Sequence, residues 1–217
     1  MGAMPSVPEE HAVQVGDVAP DFALPAAHEE GTLSLSAARA RSPVLLALFR
    51  GLYCPFCRRQ IAQLAAIAPR LKALEIQVVG VVAAEAERAR TYFGFHPPGF
   101  PMAADPDLST HRAWGLRVIA RDERGREMVE IASRRMAREL SIPLGPGEAR
   151  MAISGFDGFE PLATDMADRE RHQIQTIGQF LVDREGIVRW RSTEDTAGYT
   201  VFPDERQLLS LADRLKP

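Results

Sequence analysis

The stretch Phe49-Arg50-Gly51-Leu52-Tyr53-Cys54-Pro55-Phe56-Cys57-Arg58-Arg59-Gln60-Ile61 decides how the rest of the chain reads. An unbroken apolar run, Val44 to Phe49, leads into a turn at Gly51, and a long helix-period pattern follows Cys57. Cys54 and Cys57 are the only cysteines in the chain. The first turn of a helix holds unpaired N–H groups and the positive end of the macrodipole, and both favour a thiolate. Cys54 is expected as a half-exposed cap residue, with Pro55 at the first helical position, where its locked φ and missing N–H fit. Cys57, three residues on, falls on the same side of the turn and within disulfide reach. Arg50, Arg58 and Arg59 add positive charge. Together these features predict a Cys54 pKa lowered into the range of about 3.5–7.5. Cys54 is then the nucleophile and Cys57 its resolving partner, with Tyr53 and Phe56 shaping the rim.

Other uses of a cysteine pair fit less well. A four-ligand zinc site needs a second cysteine pair or two histidines at ligand spacing, and the chain has neither. Inert structural cysteines rarely share a helix cap with a proline between them. No metal and no cofactor are therefore expected.

The 217 residues suit one domain with a sizeable insertion, and 46% hydrophobic with 25% charged residues is ordinary for a globular protein. The formal net charge of −3 gives no electrostatic case for nucleic acid or an anionic membrane. Basic residues are nearly all Arg, with Lys72 and Lys216 the only lysines, a bias read as compositional habit. Met1 to Glu10 has neither a basic n-region nor an apolar h-region, and no apolar stretch approaches the ~20 residues of a membrane span. A cytoplasmic location, with thiols resting reduced, is the expectation.

In chain order, residues 1–14 read as a flexible lead-in and 15–217 as a single domain. Gly16-Asp17-Val18-Ala19-Pro20-Asp21-Phe22-Ala23-Leu24-Pro25 reads as an extended segment with Phe22 and Leu24 on one face, followed by a short strand over Thr32 to Ser36. Val44 to Phe49 and Ile76 to Ala83 read as strands covered on both faces. The intervening helix carries Ile61, Leu64, Ala65, Ala68, Leu71 and Leu74 at helical spacing. Strand, helix and strand form a right-handed βαβ unit, and Cys54 falls in the crevice at the carboxyl end of its first strand. A short helix over Glu85 to Phe93, a strand over Met102 to Ala104, and a helix opened by Asp105 or Asp107 and ended by Gly115 follow. Residues 116–175 form an insertion with one legible amphipathic helix through Met128, Ile131, Ala132, Arg135, Met136 and Leu140. It is expected to lid the thiol site or to make an oligomer contact. Its arginines alternate with Asp and Glu and read as a solvated face. Gln179 to Asp183 and Ile187 to Arg191 form a hairpin with Gly186 at the bulge position. Asp204 opens the last helix with a Gln207 capping box, and Leu208, Leu211, Ala212 and Leu215 form its inner stripe.

Three ordered motifs, the Gly16 to Pro25 segment, Phe49 to Ile61, and Phe180-Leu181-Val182-Asp183-Arg184-Glu185-Gly186-Ile187-Val188, together resemble the peroxiredoxin-like (alkyl hydroperoxide reductase/thiol-specific antioxidant) branch of the thioredoxin superfamily. The resemblance covers roughly residues 15–115 and 176–215. It implies an α/β thioredoxin-like fold, a central mixed β-sheet flanked by helices, and thiol-dependent reduction of peroxides or protein disulfides. The Cys-Pro-Phe-Cys motif by itself resembles glutaredoxin. Two positions depart from the pattern. Gly51 stands three residues before Cys54, where peroxiredoxins carry Thr or Ser, and Ile177 stands where they carry an Arg before a strand. Thr176 and Ile177 lie nearest the place of the thioredoxin cis-proline.

The sequence thus points to a thiol oxidoreductase with Cys54 and Cys57 as the redox pair. Arg50, Gly51, Tyr53, Pro55, Phe56, Arg58 and Thr176 stabilise the thiolate or line the site. Expected partners are a peroxide or protein disulfide substrate, a thioredoxin- or glutathione-type thiol reductant, and a second copy in a homodimer. The rival reading is a non-enzymatic binding or sensing module switched by the same disulfide.

Overall fold

A computed structural model describes residues 12–145, 149–194, 198–200 and 202–214, with backbone only from 212 onward. Most of the expected lead-in, the end of the Pro143–Gly147 loop and Leu215 lie outside the described residues.

The organising element is β3 (Val44–Phe49), buried at every position. It pairs in parallel with β4 (Gln77–Val82), Phe49 against Val82, and antiparallel with β8 (Gly178–Val182). Strand β5 (Met102–Ala104) extends the sheet beyond β4, and β9 (Val188–Thr193) closes the other edge, giving the order β5-β4-β3-β8-β9. The alternation of side chains along a strand splits β3 between two cores. Leu45, Ala47 and Phe49 pack under the crossover helix α2 (Pro55–Ala73), while Leu46 and Leu48 pack with Val79, Phe180 and Trp114 on the opposite face. Helix α2 presents Ile61, Leu64, Ile67, Ala68 and Leu71 to the sheet. Burying each Leu or Ile there contributes about 1.5–3 kcal/mol, and their sum fixes the helix start against the end of β3. The structure is an α/β thioredoxin-like fold with a mixed central sheet.

Local chemistry explains most boundaries. β1 (Ala23–Pro25) pairs with β2 (Thr32–Ser34), which stops early because the Ser34 hydroxyl accepts from Ala37 N–H and caps α1 (Leu35–Arg39). Helix α3 (Ala86–Phe95) follows β4. Helix α4 (Ser109–Ala113) starts later than expected, since Asp105 caps it from a distance, accepting from Ser109 N–H and Thr110 N–H. Gly115, at φ +70, follows its end. Gly186, at φ +86, turns the β8–β9 hairpin. The last helix, α8 (Glu205–Arg214), begins with the expected reciprocal bonds between Asp204 and Gln207. None of the described helices is long and apolar enough to cross a membrane.

The 116–175 segment holds more structure than its sequence periodicity suggests. Two-residue strands β6 (Val118–Ile119) and β7 (Ile174–Gln175) pair antiparallel and bring its ends together. Between them run α5 (Glu123–Glu139), α6 (Ala149–Ser154) and α7 (Ala163–Arg171). In α5 the buried stripe passes through Ala132, Ser133, Met136 and Ala137, which leaves Ile131 exposed, contrary to expectation. Buried or half-buried ion pairs help fasten the segment to the domain. Arg58 on α2 meets Asp157 at 2.7 Å, and Arg88 on α3 meets Asp165 at 2.8 Å.

Candidate functional site

The site is built where β3 gives way to α2. Gly51 takes φ +146, and a Cβ there would lie 2.6 Å from the Tyr53 ring and 3.1 Å from Ala83 O. The turn therefore requires glycine, and no Thr or Ser side chain fits where peroxiredoxins place their hydroxyl. Cys54 follows as the N-cap of α2 with extended backbone, and its Sγ accepts from Cys57 N–H at 3.3 Å. Pro55 takes the first helical position. Both cysteines are free thiols rather than a disulfide.

The sequence placed Cys54 half in solvent, but it is only 3% exposed. The cause is the 116–175 segment, which roofs the end of β3. Cys54 lines a narrow cleft of about 70 Å³ together with Tyr53, Pro55, Phe56, Val129, Ile174 and Tyr199. Phe56 packs edge-on against Tyr199, ring centroids 6.1 Å apart.

The electrostatics centre on Arg50. Its Nη1 lies 3.8 Å from Cys54 Sγ and donates to Tyr199 Oη at 2.7 Å. Its Nε donates to Gln175 O and its Nη2 to Glu194 Oε2, each at 2.6 Å. Glu194 is fixed in turn, accepting from Ile177 N–H on one oxygen and Thr200 N–H on the other. Burial alone pushes the Arg50 pKa down, but Glu194 and its other polar neighbours hold it well above the ordinary arginine value. Burial pushes Glu194 up, against the opposing pull of Arg50 and the two N–H donors.

The two sulfurs are shifted in opposite senses, although Arg50 favours ionisation of both. Burial opposes ionisation of Cys54, but a hydrogen bond with the Cys57 side chain, the Arg50 charge and the Cys57 N–H outweigh it, lowering its pKa to about 7. Burial raises Cys57 well above the usual thiol value, and its hydrogen bond to Cys54 and the charge there raise it further. The pair thus divides into one ionised sulfur and one protonated neighbour that can donate to it, which is what a nucleophile and a resolving thiol require.

Other expected residues sit differently. Arg58 turns away from the sulfurs, donating to Leu52 O and Ser154 O and pairing with Asp157, so it ties the insertion to the turn before Cys54. Arg59 pairs with Glu139 on α5. Thr176 is fully buried, and its hydroxyl donates to Arg117 O at 2.9 Å. Tyr53 lines the cleft, while burial raises its pKa well above the ordinary tyrosine value and its hydroxyl has no hydrogen-bond partner among the described residues. Sequence reasoning missed Gln175, Glu194 and Tyr199. Glu194 and Tyr199 lie more than 140 residues from Arg50, and no local pattern marks them. Among the described residues no cluster of His, Cys, Asp or Glu has the makings of a metal site.

Comparison with known proteins bears on the family and the fold. The AhpC/TSA family matches residues 15–191. No curated protein matches the sequence. Among solved structures, the fold is similar to the peroxidoxin BcpB from Mycobacterium tuberculosis (TM-score 0.60, 12% identity, covering 94% of this chain and 99% of that one). It is also similar to the reduced 2-Cys peroxiredoxin of Plasmodium vivax (TM-score 0.58, 13% identity, 92% and 80% covered). A protein from Chlorobium tepidum described as a thiol:disulfide interchange protein DsbE gives a TM-score of 0.53 at 21% identity, with 93% and 99% covered. At these identities the structures bear on the fold, whereas the family match spans most of the sequence and includes the thiol pair. The chain belongs to the AhpC/TSA family of thiol-dependent oxidoreductases.

Proposed function

We propose that this protein reduces small hydroperoxides through Cys54 and Cys57. The observation that carries the reading is the Arg50 guanidinium, locked by Glu194, Gln175 and Tyr199 and aimed at a Cys54 sulfur whose pKa is about 7. The narrow cleft and the 3% exposure of Cys54 favour a small electrophile over a folded protein disulfide.

The Cys54 thiolate attacks the outer oxygen of R–O–O–H. An S–O bond forms, the O–O bond breaks, and the departing alkoxide takes a proton and leaves as R–OH. Arg50 stabilises the thiolate before attack and the charge shifting onto oxygen during it. Cys57 then attacks the sulfenic sulfur, forming the Cys54–Cys57 disulfide and releasing water. One thioredoxin-type dithiol, or two glutathione-type thiols, supply the two electrons and two protons that restore the thiols, and leave as a disulfide.

The lack of any hydroxyl at Gly51 favours a second reading, reduction of small disulfides by the same pair. Stopped-flow mixing of reduced protein with hydrogen peroxide separates the two. Oxidation orders of magnitude faster than a free thiol supports the peroxide reading. A free-thiol rate, with rapid reaction toward disulfides, moves the function to disulfide exchange.

A further inference from the structure

The mouth of the Cys54 cleft carries more positive charge than the thiol chemistry needs. Besides Arg50, the lining includes Arg121, Arg126, Arg150 and Arg169, and no carboxylate. Arg50 is neutralised from behind by Glu194, and Arg121 pairs with Glu170 at 2.8 Å. Among the described residues Arg126, Arg150 and Arg169 have no acid within ion-pair distance. Arg126 is exposed, whereas Arg150 and Arg169 are half-buried. Burial holds Arg150 below the ordinary arginine pKa, and repulsion from Arg121 adds to the effect.

Glu130 and Glu170 offset this only from beyond ion-pair distance, and a guanidinium partly removed from water, beside a like charge and without a contacting acid, is unfavourable for the fold itself. Arginines that serve only solubility extend into solvent or pair along a helix face, as Arg134 does with Glu130. Arg150 does neither. The rest of the lining includes Val129 and Ile174, so the cleft combines apolar walls with a cationic collar above a thiolate.

The geometry points to a substrate that carries a carboxylate: an organic hydroperoxide or small disulfide whose acid group meets the Arg126, Arg150 and Arg169 collar while its O–O or S–S bond reaches Cys54. This deepens the proposed function and rests on it. Electron flow is unchanged; the collar sets which electrophile is concentrated at the sulfur, as charged clefts do for ions of opposite sign. All three arginines come from the 116–175 segment, which gives that insertion a role in selection.

The experiment uses reduced full-length protein and paired probes. The first pair is cumene hydroperoxide and its para-carboxylate, which share one O–O bond and differ by a charge. The second is bis(2-hydroxyethyl) disulfide and oxidised glutathione. Each acid-to-neutral rate ratio is divided by the ratio found with dithiothreitol, which removes intrinsic reactivity. The normalised ratio is expected to be about tenfold or more at low salt. It should fall toward one at high ionic strength and in the Arg150→Gln/Arg169→Gln variant. Because both rates are read in one protein, partial unfolding lowers them together and leaves the ratio unmoved. The pair that shows the larger ratio identifies the electrophile. Fast oxidation with a ratio near one overturns the collar and leaves the thiol mechanism standing. Failure of every probe to oxidise Cys54 faster than a free thiol overturns both.

Discussion

Arg50 Nη1 stands 3.8 Å from Cys54 Sγ, and the arginine belongs to the same short turn as the sulfur it serves. It leaves the end of β3 four residues before the cysteine. Ile177, which occupies the place of the arginine in the resembling family, instead gives its N–H to Glu194, the carboxylate that holds Arg50. The charge beside the thiolate is thus supplied from the end of β3 and braced by Gln175 of β7 and by Glu194 and Tyr199, which follow β9.

Removing that charge should raise the Cys54 pKa. Arg50→Met is expected to shift it up by about one unit or more, equivalent to ~1.4 kcal/mol per unit. Thiolate ultraviolet absorbance against pH reads the shift. The single variant also strands a buried carboxylate, so it should lose about 3–5 kcal/mol of stability in urea. Arg50→Met/Glu194→Gln should recover much of the stability and none of the pKa.

The division of labour between the sulfurs gives a second test. Cys57→Ala removes the thiol hydrogen bond and the resolving sulfur at once. Cys54 should titrate higher than in the wild type, and peroxide should leave a Cys54 sulfenic acid that dimedone traps. A Cys57→Ala protein that still turned over with a dithiol donor at the wild-type rate would show that Cys57 is dispensable.

Restoring the missing hydroxyl should do harm. Gly51→Thr puts a β-branched residue at φ +146 with its Cβ 2.6 Å from the Tyr53 ring. Backbone strain alone costs about 1–3 kcal/mol. Chemical denaturation should show at least that loss, and peroxide reactivity should fall as the turn shifts Cys54. A stable, faster Gly51→Thr enzyme would contradict the steric account of this position.

Arg58 offers a contrast with Arg50. Its bonds run to Leu52 O, Ser154 O and Asp157 rather than to sulfur. Arg58→Met should leave the Cys54 pKa near 7 while destabilising the 149–162 region by about 2–3 kcal/mol. Limited proteolysis should then cut there first.

How far the sequence could be read follows from the range of the interactions. The cap, Pro55, the α2 stripe, the β8–β9 hairpin and the Asp204–Gln207 box depend on residues a few positions apart, and each is found as expected apart from small shifts of boundary. Arg50 was legible as a nearby charge, but its brace was not, because Glu194 and Tyr199 join it only through the closed sheet. Two-residue strands such as β6 and β7 leave no periodic signal, so the path of the insertion and the burial of Cys54 stayed hidden. Arg126 is exposed, as the solvated-face reading expected, but Arg121 is half-buried, because alternation with Asp and Glu is judged along the chain whereas the cleft gathers residues from different elements.

The most direct test follows the consumption of hydroperoxide, the step that Cys54 alone performs, after mixing reduced protein with one equivalent of it across a pH series. Below the Cys54 pKa the thiolate fraction falls about tenfold per pH unit, so the rate should climb with pH, bend near 7 and level off above it. Intact mass should then show the loss of two hydrogens as the disulfide forms, and Cys54→Ser should abolish both. A rate still rising through the ordinary thiol range near 9, or a Cys54→Ser protein that reacts like wild type, would contradict the account.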